Sequence, residues 1–261
     1  MFRDFLERIS RTPPSRTTGR PTSGNGASSM HLLWTVPPVP LIAAEVTIEV
    51  IEPPRVPRLY FWALQVGFAS RSGIPLGAAH TGLQYHPDYP GGGAVNWGGY
   101  GPGGGELTGS VSALPSALDN VNTRTYPWRP GTGYRYRVDR APDRDRGWQA
   151  TVTDLRTGTA TTIRDLWVDA AALTSPMVWT EAFARCDDPP ATVRWTDPTV
   201  TTADGTVHPV TDARVNYQSH ADGGCTNTCC SVVEAGSGRA WEQRTGVARS
   251  VPVGARLALA R

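Results

Sequence analysis

Strict alternation of apolar and polar residues, in short runs divided by turn signals, constrains this chain more than any other feature. In Glu45-Val46-Thr47-Ile48-Glu49-Val50 every second residue is apolar. Across 60–68, Trp62, Leu64, Val66 and Phe68 fall on one side, and Ala63, Gln65 and Gly67 on the other. In 80–86, Thr81, Leu83 and Tyr85 alternate with His80, Gly82, Gln84 and His86. Successive side chains of a strand point to opposite faces, so each run carries a bulky apolar face and a small-plus-polar face. The same reading predicts strands at 94–97, 134–139, 148–154, 160–166, 176–185, 192–196, within 207–218 and at 256–260. Long amphipathic helical patterns are missing.

Composition agrees with this pattern. The 28 Gly and 23 Pro supply turns, while nine Trp and eight Tyr are strand formers. With 261 residues, 39% hydrophobic and 18% charged, the chain can bury a substantial core. The expectation is an all-β fold, a single antiparallel β-sandwich over 31–261, behind a flexible, disordered N-terminal tail over 1–30. Within that tail, Phe2, Phe5, Leu6 and Ile9 could line one side of a short helix. Residues 11–29, rich in Ser, Thr, Gly, Pro and Arg, read as a linker.

Charge excludes some partners. All 25 basic residues are Arg, and the net charge is only +2, so no nucleic-acid partner is expected. No run approaches the roughly 18 apolar residues of a membrane span, so no membrane partner is expected either. The start, MFRDFLERIS, lacks the apolar core of an export signal. The chain as written is therefore expected in the cytoplasm, or secreted if the N-terminus is incomplete.

Four cysteines, Cys186, Cys225, Cys229 and Cys230, allow three full pairings. Reduced thiols are the default without an export signal. Two readings compete with it: a disulfide staple in an oxidising compartment, and a zinc site from Cys225, Cys229, Cys230 and His220, whose C-x3-C-C spacing is not a standard zinc pattern. Asp197, Asp204, Asp212 and Asp222 could contribute to a calcium site, yet no D-x-D-x-D-G loop is present. No cofactor and no metal are expected.

The order FWALQVGF, GLQYHP, NWGGY, YRYRV, GWQATVTD, VWTEAFARCD and VRWTD resembles a group of actinobacterial proteins. These are in turn similar to concanavalin-like jelly-roll domains, among them a domain of unknown function found with carbohydrate-related modules. The resemblance covers roughly residues 59–197. It implies a jelly-roll sandwich and a carbohydrate setting, and it brings no catalytic residues with it.

On such a sheet face, sugar C–H groups stack on indole or phenol rings while amides and carboxylates bind hydroxyls. The candidate ligand-binding residues are Gln65, Gln84, Asn96, Trp97, Trp179 and Arg194, with Trp97 or Trp179 as the stacking platform. Glu181, strand-borne between Trp179 and Phe183, is the candidate acid or base, and His80, sharing a face with Gln84, is the candidate proton carrier. His86, just before Pro87, reads as a turn residue. Three functions follow: binding of a carbohydrate or small polar ligand; a lyase, isomerase or hydrolase on the same face; or a structural protein whose polar face is a satisfied network, for example Glu181 paired with Arg194.

Overall fold

A computed structural model describes residues 16–142, 147–236 and 238–260. The strands are β1 (Ser28–Trp34), β2 (Leu41–Glu52), β3 (Tyr60–Ala69), β4 (Pro75–Tyr85), β5 (Gly93–Tyr100), β6 (Ser116–Ala117), β7 (Asn120–Thr125), β8 (Gly133–Arg140) and β9 (Gly147–Asp154). They continue with β10 (Thr159–Trp167), β11 (Ala172–Ala182), β12 (Thr192–Thr202), β13 (Val207–Pro209), β14 (Asp212–Tyr217), β15 (Thr228–Ala235), β16 (Gly238–Thr245) and β17 (Arg256–Ala258).

Every pairing is antiparallel, and the pairings fall into two runs. One sheet has the order β17-β14-β1-β11-β3-β4-β5-β7-β6. The other runs β10-β9-β8-β2-β12-β16-β15, with β13 folded back on β12. A single pair, Leu173 with Leu41, joins them at one corner. The protein is thus an antiparallel β-sandwich, and no helix among the described residues is long and apolar enough to cross a membrane.

The apolar faces read from the sequence meet between the sheets. Trp62, Leu64, Val66 and Phe68 of β3 are buried there with Val46, Ile48 and Val50 of β2. Each fully buried Val, Leu, Ile or Phe contributes about 1.5–3 kcal/mol relative to exposure, so these alternating strands drive the two layers together. Some polar groups in this interior are paired, while Tyr60 OH, Tyr136 OH and Trp148 Nε1 are not. Gln243 of β16 is fully buried; its Oε1 accepts from Thr180 Oγ1 at 2.8 Å and from Trp195 Nε1 at 3.1 Å. Its Nε2 donates to the Met30 carbonyl at 3.0 Å. One amide therefore links both sheets, and no sequence pattern marked it.

The expected tail boundary is corrected. Residues 28–34 form β1, a central strand held between β11 and β14, because Met30, Leu32 and Trp34 carry a period-two apolar face into the core. Residues 16–27 are a bonded strap. Cys186 N donates to the Gly19 carbonyl at 2.7 Å, Thr22 N to the Gly223 carbonyl at 3.0 Å, and Thr17 and Thr226 hydroxyls meet at 2.7 Å. Gly223 makes this possible: it has φ +81°, and a Cβ there would lie 2.2 Å from Ser23 N. The short helix expected over 2–10 lies outside the described residues.

The cysteine expectation is also corrected. Cys186 and Cys225 form a disulfide, closing a separation of 39 residues, while Cys229 and Cys230 are buried free thiols. The disulfide consumes Cys225 and with it the four-ligand zinc set. Burial pushes the Cys230 thiol up to about 12, which keeps it protonated and inert.

Candidate functional site

Register decides which predicted site residues share a face. Opposite residues in paired strands project to the same side. One row across the large sheet reads Asn216, His31, Trp179, Ala63, Gly82, Asn96 and Thr123. The next row holds Glu181, Phe61 and Gln84, and the row on the far side holds Met177, Gln65 and His80. All face away from the main core. Gln65, His80, Gln84, Asn96, Trp179 and Glu181 therefore do share one face, as the alternation predicted.

At its centre is a second, small apolar cluster of Phe61, Ala63 and Trp179, with Met177 packed on it. Ala63 and Gly82, with little or no side chain, share the row of Trp179, beside the rows that hold Phe61 and His80. The Phe61 ring lies edge-on to Trp179 at 4.8 Å and to His80 at 5.3 Å, and His80 meets Trp179 at 5.5 Å. His31 approaches Trp179 from the other side at 6.5 Å. Trp179 Nε1 donates to Gln65 Oε1 at 3.0 Å.

Several polar side chains on this face are left with unused hydrogen-bonding capacity, among them Asn96, whose Oδ1 is buried without a partner. Gln65 spends only Oε1, so its NH2 has no partner among the described residues. His31 Nδ1 is buried without a partner. Neither ring nitrogen of His80 bonds to a described residue; the ring's neighbours are Phe61 and Trp179. Burial lowers the pKa of His31 and pushes His80 down to about 4, so both rings are neutral at pH 7.

Glu181 lies at the edge of the strip, half-buried, where its Oε1 accepts from Asn25 Nδ2 of the strap at 2.9 Å. Burial raises its pKa, and the Asn25 bond partly offsets that. Beyond it a groove of about 560 Å³ is lined by Arg20, Asn25, Arg58, Leu59, His86 and Phe183. His86 is in the turn expected of it, where its Nδ1 accepts from Asp88 N at 3.2 Å.

Other candidates are placed differently. Trp97 points inward, is fully buried and donates from Nε1 to the Trp148 carbonyl at 3.1 Å, so it packs the two sheets and offers no platform to a ligand. The alternation was weak here because β5 is buried on both faces. Arg194 stands on β12 of the other sheet, in a charge ladder with Glu49 at 3.7 Å and Glu242 at 3.6 Å, and it never meets Glu181. Gln84 and Asn96 are on the right face but covered. Gln84 Oε1 accepts from Tyr89 OH at 2.9 Å, and Asn96 Nδ2 donates to Thr123 Oγ1 at 3.1 Å.

The Glu181–His80 pair is corrected too. They sit four residues apart in register and two strands over, about 16 Å between backbones at ordinary strand spacings, with the Phe61 and Trp179 rings between them. They cannot act on one bond as an acid–base couple. Of the four aspartates, Asp212 is paired with Arg256 at 2.7 Å and Asp222 with Ser219 at 2.5 Å. Among the described residues no group of three or more His, Cys, Asp or Glu could hold a metal ion. His31 carries no site signal in the sequence, where it stands at the expected start of the domain.

No family model matches the chain, and no curated protein matches it. Among solved structures it is similar to Scytalido-glutamic peptidase with a peptide-based transition-state analogue, at 11% identity over 87% of this chain and 98% of that one, with a TM-score of 0.44. It is similar too to SCP-B, a member of the eqolisin family of peptidases in complex with the tripeptide Ala-Ile-His, at 12% identity, the same coverage and a TM-score of 0.44. Resemblance of this extent leaves the site to be judged on its own side chains.

Proposed function

We propose that the outer face of the large sheet is a recognition site for an uncharged polar ligand, with carbohydrate the class that suits it. The observation that carries this reading is the set of unused hydrogen-bonding groups on Gln65, His31 and His80 around the Trp179–Phe61 cluster. Buried polar groups are ordinarily paired, so the open His31 Nδ1, with the half-exposed Gln65 and His80 beside the same apolar floor, fits a ligand that completes the set. Both histidines are neutral, which favours hydroxyls over carboxylates or phosphates. A binding role is favoured over catalysis because Glu181 and His80 do not converge.

A thermal-shift screen against mono- and oligosaccharides tests this. A binding sugar raises Tm by RT ln(1 + [L]/Kd) expressed as temperature, and Gln65→Ala or His31→Ala should weaken it by about tenfold, the effect of one lost hydrogen bond of about 1.4 kcal/mol. A hit whose affinity is unchanged in both variants places the site elsewhere.

One observation favours an enzyme as the second reading. Glu181 has a raised pKa and stands beside the groove, as a general acid would. In that case a bound sugar is turned over, and Glu181→Gln abolishes turnover while leaving affinity in place. The disulfide bears on location: such bonds persist in oxidising compartments, which supports the secreted alternative over the cytoplasmic one.

A further inference from the structure

Two buried arginines project into the space between the sheets, one from each sheet. Arg124 of β7 stands opposite Val95, a core residue, so its side chain projects inward between the sheets. Arg164 of β10 stands opposite Ala150, also in the core, and projects inward from the other sheet. Their relative exposures are 7% and 3%. Arg164 reaches Asn122, which lies two residues from Arg124 on the same side of β7. Arg164 Nη1 donates to Asn122 Oδ1 at 2.7 Å and to the Val121 carbonyl at 3.1 Å.

Arg124 has no bonded counter-charge, whereas the Glu106 and Asp165 carboxylates act on Arg164 from a short way off. Arg124 makes no hydrogen bond and no ion pair with any described residue, and its Nε is fully buried. The Nε of Arg164 is likewise buried and unpartnered. Glu106 bonds to Asn122 Nδ2 rather than to either arginine, and Asp165 Oδ1 accepts from Gln149 Nε2 at 3.1 Å. Burial, and after it the positive charge of Arg124, lower the pKa of Arg164, and the Glu106 and Asp165 carboxylates partly offset them. The backbone is drawn close at this point: a Cβ on Gly109 would lie 2.6 Å from Arg164 Nη2.

A buried charge without a partner is strongly destabilising, and two of like sign are worse. Guanidinium presents paired N–H donors in a plane that fits two oxygens of one oxoanion. We propose that Arg124 and Arg164, with Asn122 holding Arg164 in place, form an anion site at the edge of the sandwich that takes a carboxylate or phosphate group. The site is separate from the recognition face, and it lies between the sheets, where a bound anion would tie β7 to β10.

The full chain is melted in chloride, acetate and phosphate at matched ionic strength. At a concentration one hundred times Kd, the bound anion raises Tm by about 5 °C over chloride. A rise in acetate alone assigns the site to carboxylates, and a rise in phosphate alone to phosphoryl groups. Arg124→Met removes the shift. Because that substitution also changes baseline stability, 31P line broadening of inorganic phosphate and equilibrium dialysis of radiolabelled acetate read binding directly, and each is lost in the same variant. Equal Tm in all three salts with no binding by either direct method, or a shift that persists in Arg124→Met, overturns the proposal.

Discussion

His80 shows how one side chain links packing to pH. Its ring is held between Phe61 and Trp179, and burial pushes its pKa from 6.5 to about 4. The unfolded chain takes up this proton below pH 6.5, whereas the folded protein resists until about pH 4. Acid therefore favours unfolding, and the stability His80 allows above pH 6.5 is lost as pH falls through that window. The full loss is about 3 kcal/mol from a shift of this size. Urea denaturation midpoints between pH 7 and 4 should fall less steeply in His80→Gln than in the native chain; identical slopes would show that the ring is solvated. Glu181 acts in the opposite sense. Its raised pKa means that the folded state holds the proton longer, so its contribution is present at low pH and lost as pH rises. Alternation placed Glu181 and His80 on their common face, but the distance along it depends on register, which residue types do not specify.

Among the elements, β11 matters most to the site. It contributes Met177, Trp179 and Glu181 to the outer face, while its inner residues Val178 and Ala182 join the core. Its end leads into Cys186, where the disulfide gathers the strap and the loop before β15. Closing a loop with a separation of 39 residues contributes about 4 kcal/mol by the chain-entropy relation. The double variant Cys186→Ala/Cys225→Ala should lose that much in urea denaturation, and added reductant should then have no further effect. If the native chain shows the same stability with and without reductant, the bond does not hold the strap. The strap itself was unreadable as structure: its Ser, Thr, Gly and Arg have no periodicity, and it is ordered by backbone bonds to distant loops. The period-two runs of β2, β3 and β4 were legible because each buries one face only.

At the scale of the molecule, the two sheets share one interior. Trp97 of one donates to the Trp148 carbonyl of the other, and Gln243 reaches from β16 to Thr180 and Met30. The sandwich should therefore unfold in a single transition. Gln243→Met keeps the volume but strands the Thr180 hydroxyl, the Trp195 N–H and the Met30 carbonyl, at about 1–3 kcal/mol for each group left unpaired. Calorimetry should show one transition at a markedly lower temperature; two separate transitions would mean the sheets are independent.

The chain's own residues determined the class of fold and the face that bears the candidate site, because alternation is a local property that each strand carries with it. They also determined the main core of β2 and β3. Only the tertiary structure decided which strands became neighbours, and this separated Arg194 from Glu181, turned Trp97 inward and brought His31 to Trp179. It likewise brought Arg164 of one sheet to Asn122 of the other, two residues from Arg124. Pairings between residues far apart in sequence arise from the packing of whole sheets, and no short stretch of the chain contains the information for them.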